Sequence, residues 1–407
     1  MVETDLTNPF KPGAGHMPPY LAGRESEKHE FAKLIAQSTI LENLVLTGLR
    51  GVGKTVLLDV FKPIAQTSGW YWVGTDLTEA ATLSEKNIAT RLLTDLSVLT
   101  SSIVIGKKQS LSIGFLSQQN TETHYLNFQT LIGIYEQTPG LPGDKLKYVL
   151  ELIWDILKEG SNFKGIVFAY DEAQNLADQT DKDEFPLSLL LDTFQSIQKK
   201  NIPFMLALTG LPTLFPKLVE SRTFAERMFR GMFLDRLDEE SVKEAIKKPL
   251  ENYQDLHLSD SSIDQIVSLS GGYPYFVQFI CREVYDVFIQ KIDSGLDPKV
   301  PISEIVQKLD TDFFSGRWAR ATDRQRELLA VIAELVTVED DEFSVQDVVG
   351  KSKEALEKPF SSSHVNQMLS TLADSGLVYK NRHGKYSFAV PLLGGFIRRQ
   401  QILRAAE

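Results

Sequence analysis

The sequence predicts an α/β protein: a parallel-sheet core with a phosphate-binding loop, then a small helical domain, then a C-terminal winged helix. Three observations carry this. An apolar run meets glycines, a lysine and a threonine in "LVLTGLRGVGKTVLL", residues 44–58. A second apolar run ends in two acids in "GIVFAYDEAQNL", residues 165–176. Residues 318–407 read helix, helix, helix, hairpin.

The first run is a short buried strand. Gly48, Gly51, Gly53, Lys54 and Thr55 then satisfy the spacing G-x-x-x-x-G-K-[ST]. Glycines let backbone N–H groups turn inward with no Cβ in the way. A helix starting near Lys54 adds its positive end. Gly48, Leu49, Arg50, Gly51, Val52, Gly53, Lys54, Thr55 and Val56 are thus the expected cradle for ATP. Lys54 reaches the β- and γ-phosphates, and the Thr55 hydroxyl binds Mg2+.

The strand ending at Tyr170 places Asp171 at its C-terminal edge, where ligands bind in parallel sheets. Asp171 is expected to hold the metal through water, and Glu172 to polarise the attacking water.

Between these motifs, "GWYWVGTDL" reads as a strand. Thr82-x-x-Glu85 reads as a capping box opening a helix to about Leu99. Residues 101–144 read as an insertion with a possible hairpin, closed by the break "TPGLPGD". An amphipathic helix is expected over 145–159. "FPLSLLLDTFQSIQKKN" follows as a helix and "IPFMLALTGLP" as a strand ending at Thr209. "LVESRTFAERMFRGMFLDRL" reads as helix, break and strand.

"GLRGVGKT" together with "YDEA" resembles the AAA+ branch of P-loop ATPases. "YLAGRESE", residues 20–27, resembles the Gly-Arg-Glu entry segment of its origin-recognition-type and STAND-type members. The resemblance implies that Leu21 and Arg24 flank the adenine and that Thr209 senses the γ-phosphate. It implies an arginine finger reaching a neighbouring subunit's nucleotide, with Arg222, Arg227 and Arg230 as candidates and Arg227 favoured by position. It also implies a helical lid over 238–290, in which the Gly271–Gly272 stop precedes a helix opened by Pro274. Many such lids carry an arginine at the start of that helix. This chain has Tyr275, a departure that favours a slow switch over a fast motor.

A linker is expected over 291–317, leaving 1–237 as the core and 318–407 as the winged helix. Thr322-x-x-Gln325, Ser344-x-x-Asp347 and Ser363 are read as the three helix starts. Val365, Met368, Leu369 and Leu372 form the inner stripe of the third helix, and Gly376 ends it. That helix exposes His364, Asn366, Gln367, Ser370 and Thr371, able to bond base edges but without Lys or Arg. The hairpin offers Lys380, Arg382, His383 and Lys385 to phosphate. Both DNA and a protein partner remain open for this domain. The "FIRRQ" segment suits either use, or a helix C-terminus.

Composition bounds the rest. The 407 residues allow two or three domains, and 43% hydrophobic with 24% charged content is that of a soluble globular chain. No apolar run is long enough for a transmembrane helix, so no membrane partner is expected. The N-terminal stretch lacks the pattern of a signal peptide. A single cysteine, Cys281, cannot form an internal disulfide, and a reducing, cytoplasmic setting is expected. Cys281 lies in an apolar run and reads as a core residue. The net charge of −11 opposes nonspecific nucleic-acid binding, although six bases face two acids over 361–407.

The expected function is an ATP-dependent molecular switch that self-associates, hydrolyses slowly and signals through the winged helix. The alternative is a nucleotide-binding scaffold or STAND-like regulator with little turnover. A phosphotransferase fits less well, because 238–290 holds few arginines for a catalytic lid.

Overall fold

The computed structural model describes residues 7–110, 120–159, 163–251, 258–293, 300–337, 341–382 and 384–406. The chain divides into two units. One gathers Glu25–Thr47 and Leu57–Phe233; the other gathers Met1–Arg24, Gly48–Val56 and Leu234–Glu407.

The first unit is built on a parallel sheet. Its elements are α1 (Glu25–Ile35), β1 (Asn43–Gly48), α2 (Lys54–Thr67), β2 (Trp70–Val73), α3 (Glu85–Thr100), β3 (Val104–Ser110), β4 (Asn120–Tyr125), α4 (Phe128–Gln137), α5 (Pro142–Leu157), β5 (Gly165–Tyr170), α6 (Pro186–Gln198), β6 (Phe204–Gly210), α7 (Leu214–Ser221), α8 (Ala225–Met228) and β7 (Phe229–Leu234). The five-stranded order is β2-β5-β6-β1-β7, and β2–β5, β5–β6 and β6–β1 pair in parallel. Every residue of β1, β5 and β6 is buried, as continuous apolar strands covered on both faces must be. Edge strand β2 leaves Tyr71 exposed.

A buried amide ties this sheet together. Asn43 donates to Gln198 Oε1 at 3.2 Å and to the Met228 carbonyl at 3.1 Å. Its own oxygen accepts from the Leu206 N–H at 2.7 Å and from Gln198 Nε2 at 2.8 Å. One side chain thereby fixes β1 to α6, β6 and the end of α8, with its hydrogen bonds satisfied inside the core.

Three local expectations shift. Helix α3 is capped by Ser84, whose hydroxyl accepts from the Asn87 N–H, and not by Thr82. Thr82 lies in a 3-10 turn and turns its hydroxyl back to the Glu79 carbonyl at 2.9 Å. Helix α5 starts at Pro142, inside the "TPGLPGD" break, because proline suits the first helical turn. Residues 101–144 hold the antiparallel pair β3–β4 and also α4, whose Leu131 and Tyr135 are buried in the core. Part of that expected hairpin, 111–119, lies outside the described residues.

The second unit is helical with a small sheet. Its helices are α9 (Glu239–Lys247), α10 (Asp260–Ser270), α11 (Pro274–Asp293), α12 (Ile302–Leu309), α13 (Ser315–Trp318), α14 (Asp323–Leu335), α15 (Val345–Ala355), α16 (Ser362–Asp374) and α17 (Leu393–Ala406). Strands β8 (Phe343–Ser344), β9 (Val378–Arg382) and β10 (Lys385–Phe388) form a three-stranded antiparallel sheet in the order β8-β10-β9. The sequence α14, β8, α15, α16, β9, β10 is consistent with a winged helix.

The capping boxes Thr322/Gln325 and Ser344/Asp347 form as expected. Ser361, not Ser363, caps α16, accepting from the His364 N–H. Val365, Met368, Leu369 and Leu372 are buried. The segment 291–317 is more than a linker. It holds the end of α11, then α12, a π-turn and α13, because Ile305, Leu309 and Phe314 give it a buried stripe of its own. Phe314 stacks on Phe396 of α17 at 5.2 Å and Phe313 packs on Phe276 of α11 at 4.9 Å.

Candidate nucleotide site

The phosphate loop follows directly from β1. Gly51 takes φ +82° and a Cβ there would stand 3.1 Å from Tyr275 Cβ, so both conformation and space call for glycine. Val52 is buried, and Leu49 and Val56 are half-buried. Lys54 Nζ folds back over the loop, donating to the carbonyls of Gly48 at 2.9 Å and Leu49 at 2.8 Å. Thr55 is exposed in the first turn of α2.

Two contacts brace the loop within its unit. Arg24 is only 6% exposed, and its Nη2 donates to the Val52 carbonyl at 3.1 Å and the Asp235 carbonyl at 2.7 Å. Arg24, expected beside the base, thus grips the loop's backbone. Leu21 is half-buried. Pro274 opens α11, and the N–H of the next residue, Tyr275, donates to the Gly51 carbonyl at 3.1 Å. The start of the lid's last helix thus sits on the loop through backbone, not through a cationic side chain.

The carboxylates and Thr209 belong to the sheet unit. Parallel register puts Leu46 opposite Thr209 and Tyr170 opposite Leu208, so the carboxyl ends of β1, β5 and β6 share one edge. Asp171 is buried at that edge and accepts from the Glu172 N–H at 2.8 Å. Glu172 has φ +52°, a left-handed conformation unusual for a non-glycine residue. Thr209 is fully buried and its hydroxyl has no hydrogen-bond partner among the described residues. An orphaned buried hydroxyl in a native fold calls for a reason.

The sequence reading missed Gln174. Its Nε2 donates to the Glu172 carboxylate, and its Oε1 accepts from the Leu211 N–H at 3.1 Å, just beyond Thr209. Lys217 Nζ donates to the Gln174 carbonyl at 2.6 Å. The only signal available was adjacency to the two acids. Also unforeseen is Asp95, which pairs with Arg91 and accepts from the Tyr170 hydroxyl at 3.0 Å, steadying the strand that ends in Asp171. Burial, then the Asp95 charge, pushes the Tyr170 phenol far up.

Of the three arginine-finger candidates, Arg222 pairs with Asp192 at 2.7 Å and Arg230 with Glu30 at 3.1 Å. Arg227 is exposed on α8 and makes no side-chain hydrogen bond or ion pair among the described residues.

In the second unit, α16 exposes His364, Asn366, Gln367, Ser370 and Thr371. Lys380 is exposed, whereas Lys385 faces Asp347 at 3.5 Å. The Arg382 side chain and His383 lie outside the described residues. The cations of "FIRRQ" serve the fold: Arg398 donates to the carbonyls of Ala333 and Val336, and Arg399 pairs with Asp310. No helix is long and apolar enough to cross a membrane among the described residues.

Residues 311–397 match the family model described as a domain of unknown function, DUF8462. No curated protein matches the sequence. Solved structures align over nearly the whole chain, two of them of one protein. The Aeropyrum pernix ORC2 protein in its ADPNP–ADP complexes aligns with a TM-score of 0.54 at 12% identity, covering 97% of this chain and 98% of that one. The ADP form of the same protein aligns with a TM-score of 0.55 at 12% identity, covering 96% and 99%. The fold is that of an ORC-type AAA+ protein. The parallel five-stranded sheet and the helical C-terminal region match that fold.

Proposed function

We propose that this chain binds ATP with Mg2+ and acts as a nucleotide-dependent switch. The observation that carries this reading is the loop: glycines where a Cβ or a negative φ cannot be accommodated, with an ammonium turned over its backbone. Both ORC2 structures hold adenine nucleotides, which supports the same ligand class here.

In this proposal the loop N–H groups and Lys54 hold the phosphates. The Thr55 hydroxyl and the Asp171 carboxylate are hard oxygen donors suited to Mg2+, which when bound neutralises phosphate charge. Glu172 orients and deprotonates the attacking water. Thr209 donates its otherwise unpaired hydroxyl to the γ-phosphate. Arg227 completes hydrolysis in a neighbouring subunit, so turnover is slow in isolated chains. The winged helix carries the output to DNA or to a protein partner, and the setting is cytoplasmic.

Glu172→Gln tests this directly. Mg·ATP uptake measured by calorimetry is retained, and phosphate release falls to background. Loss of uptake in a Lys54→Glu chain completes the test, and unchanged binding in that variant overturns the proposal. A scaffold with little turnover is the second reading. It is favoured by Tyr275 in place of a lid arginine and by the Gln174 contact that occupies Glu172. Equal and negligible turnover in wild type and Glu172→Gln decides for it.

A further inference from the structure

The phosphate loop carries an arginine that none of its expected duties requires. Arg50 is exposed, and its Nη1 donates to the Gly376 carbonyl at 3.1 Å. Gly376 ends α16. The Leu377 N–H returns to the Leu372 carbonyl and the Gly376 N–H to the Ala373 carbonyl, closing the helix in a Schellman motif with Gly376 at φ +69°. A Cβ on Gly376 would stand 2.6 Å from Arg50 Nη1, so the guanidinium lies close against the turn. The Gly376 carbonyl also lies at the negative end of α16, which favours a cation. All these residues belong to one unit of the fold.

The surroundings of Arg50 are cationic. Arg317 of α13 stacks over Phe313 at 4.3 Å and donates to the Phe313 carbonyl. Phe313 in turn packs on the Tyr275 ring at 5.3 Å, and the Tyr275 N–H binds the loop at Gly51. Burial, and after it the charge of Arg50, lowers the pKa of Arg317. Arg320 adds a third positive charge. None of the three arginines has a carboxylate partner among the described residues, in a chain where acids outnumber bases, 54 to 43. Arg222, Arg230 and Arg399 pair with acids, whereas Arg24 and Arg398 bond carbonyls, as Arg50 does. The Arg50–Gly376 contact is therefore one hydrogen bond to a neutral oxygen, with no carboxylate to strengthen it among the described residues.

We infer that Arg50 is a phosphate-displaceable latch between the nucleotide loop and the end of helix α16. Held at the Gly376 carbonyl, it pins the turn. A triphosphate on the loop offers the guanidinium a bidentate, fully charged partner, a stronger acceptor than one carbonyl. Arg50 then leaves Gly376, and the α16 end, whose exposed face bears His364, Asn366, Gln367, Ser370 and Thr371, is freed. This inference rests on the nucleotide reading above and adds the route by which the phosphate is felt in the C-terminal region.

Amide hydrogen exchange on the full chain tests it. In wild type, Mg·ATP speeds exchange over 362–377 by about fivefold, the factor one ordinary hydrogen bond is worth, and Mg·ADP does so less. In Arg50→Gln the same segment exchanges fast without nucleotide, and Mg·ATP adds nothing. Gly376→Ala strains the turn at φ +69° by itself, so in this chain it is the loss of the Mg·ATP response that supports the latch. Equal exchange in wild type and both variants without nucleotide overturns the latch. So does calorimetric uptake of Mg·ATP by wild type with no change over 362–377. No uptake of Mg·ATP by wild type instead overturns the nucleotide reading, and the comparison of variants without nucleotide then still decides whether Arg50 holds the turn.

Discussion

The Thr209 hydroxyl is buried with no partner among the described residues, and a group left so costs about 1–3 kcal/mol. Stability and activity should therefore respond in opposite directions. Thr209→Val keeps the shape and removes the orphan, so the urea midpoint is expected to rise by the equivalent of about 1 kcal/mol. Phosphate release is expected to fall about tenfold or more, because the lost donor acts on charge that develops at the γ-phosphate. A Thr209→Val chain that is destabilised, with unchanged turnover, would show a plain packing residue. Cys281 makes a simpler case. Its thiol is buried and pushed well above the ordinary range by that burial. A disulfide-exchange reagent is expected to leave the native chain unmodified and to label one thiol after denaturation. The position was readable from its apolar neighbours; the roles of Gln174 and Asp95 were not. Nothing beside Gln174 in the chain announces that Leu211 and Lys217 will meet it.

At the scale of elements, Asn43 joins β1 to β6, α6 and the end of α8. Asn43→Ala strands the Leu206 N–H, the Met228 carbonyl and the Gln198 amide inside the core. A loss of about 3 kcal/mol is expected by urea titration, roughly one unsatisfied group's penalty or more. Asn43→Asp is expected to be no better, since it buries a charge. Caps were legible to within a turn and no closer. Thr82 and Ser84 both suit an N-cap, as do Ser361 and Ser363, and the backbone leaving β2 or α15 decides which serves. Helix α4 went unread because its ten residues hold only two core positions, Leu131 and Tyr135. Those become core only when α3 and α5 are in place.

For the whole molecule, the proposed role of Arg227 is what a test must decide. Arg227 stands exposed and, among the described residues, unpaired, while Arg222 and Arg230 are held by acids of their own unit. If Arg227 serves a neighbour, turnover per chain rises with protein concentration, and Arg227→Ala abolishes the rise. Mixing Arg227→Ala with Glu172→Gln chains is then expected to restore activity that neither has alone, because some interfaces combine an intact glutamate with an intact arginine. A mixture as silent as its components would remove the shared-site model. Duplex DNA at two salt levels addresses the output. Stimulation that fades with salt marks phosphate contact, and indifference to DNA points to a protein partner.

By itself the sequence determined what is local and contiguous: the loop from Gly48 to Thr55, the acids after β5, the buried strands, the stripe of α16 and its exposed polar face. Their physics resides in spacing along the chain, where periodicity and backbone freedom are already written. Only the tertiary structure decided what depends on distant partners. It set Arg24 against the Val52 and Asp235 carbonyls and Arg50 against the Gly376 carbonyl, made braces of Arg398 and Arg399, left the Thr209 hydroxyl without a partner among the described residues and made helices of the expected linker. A side chain's role there is set by which backbone groups and charges arrive around it, and those come from far along the chain.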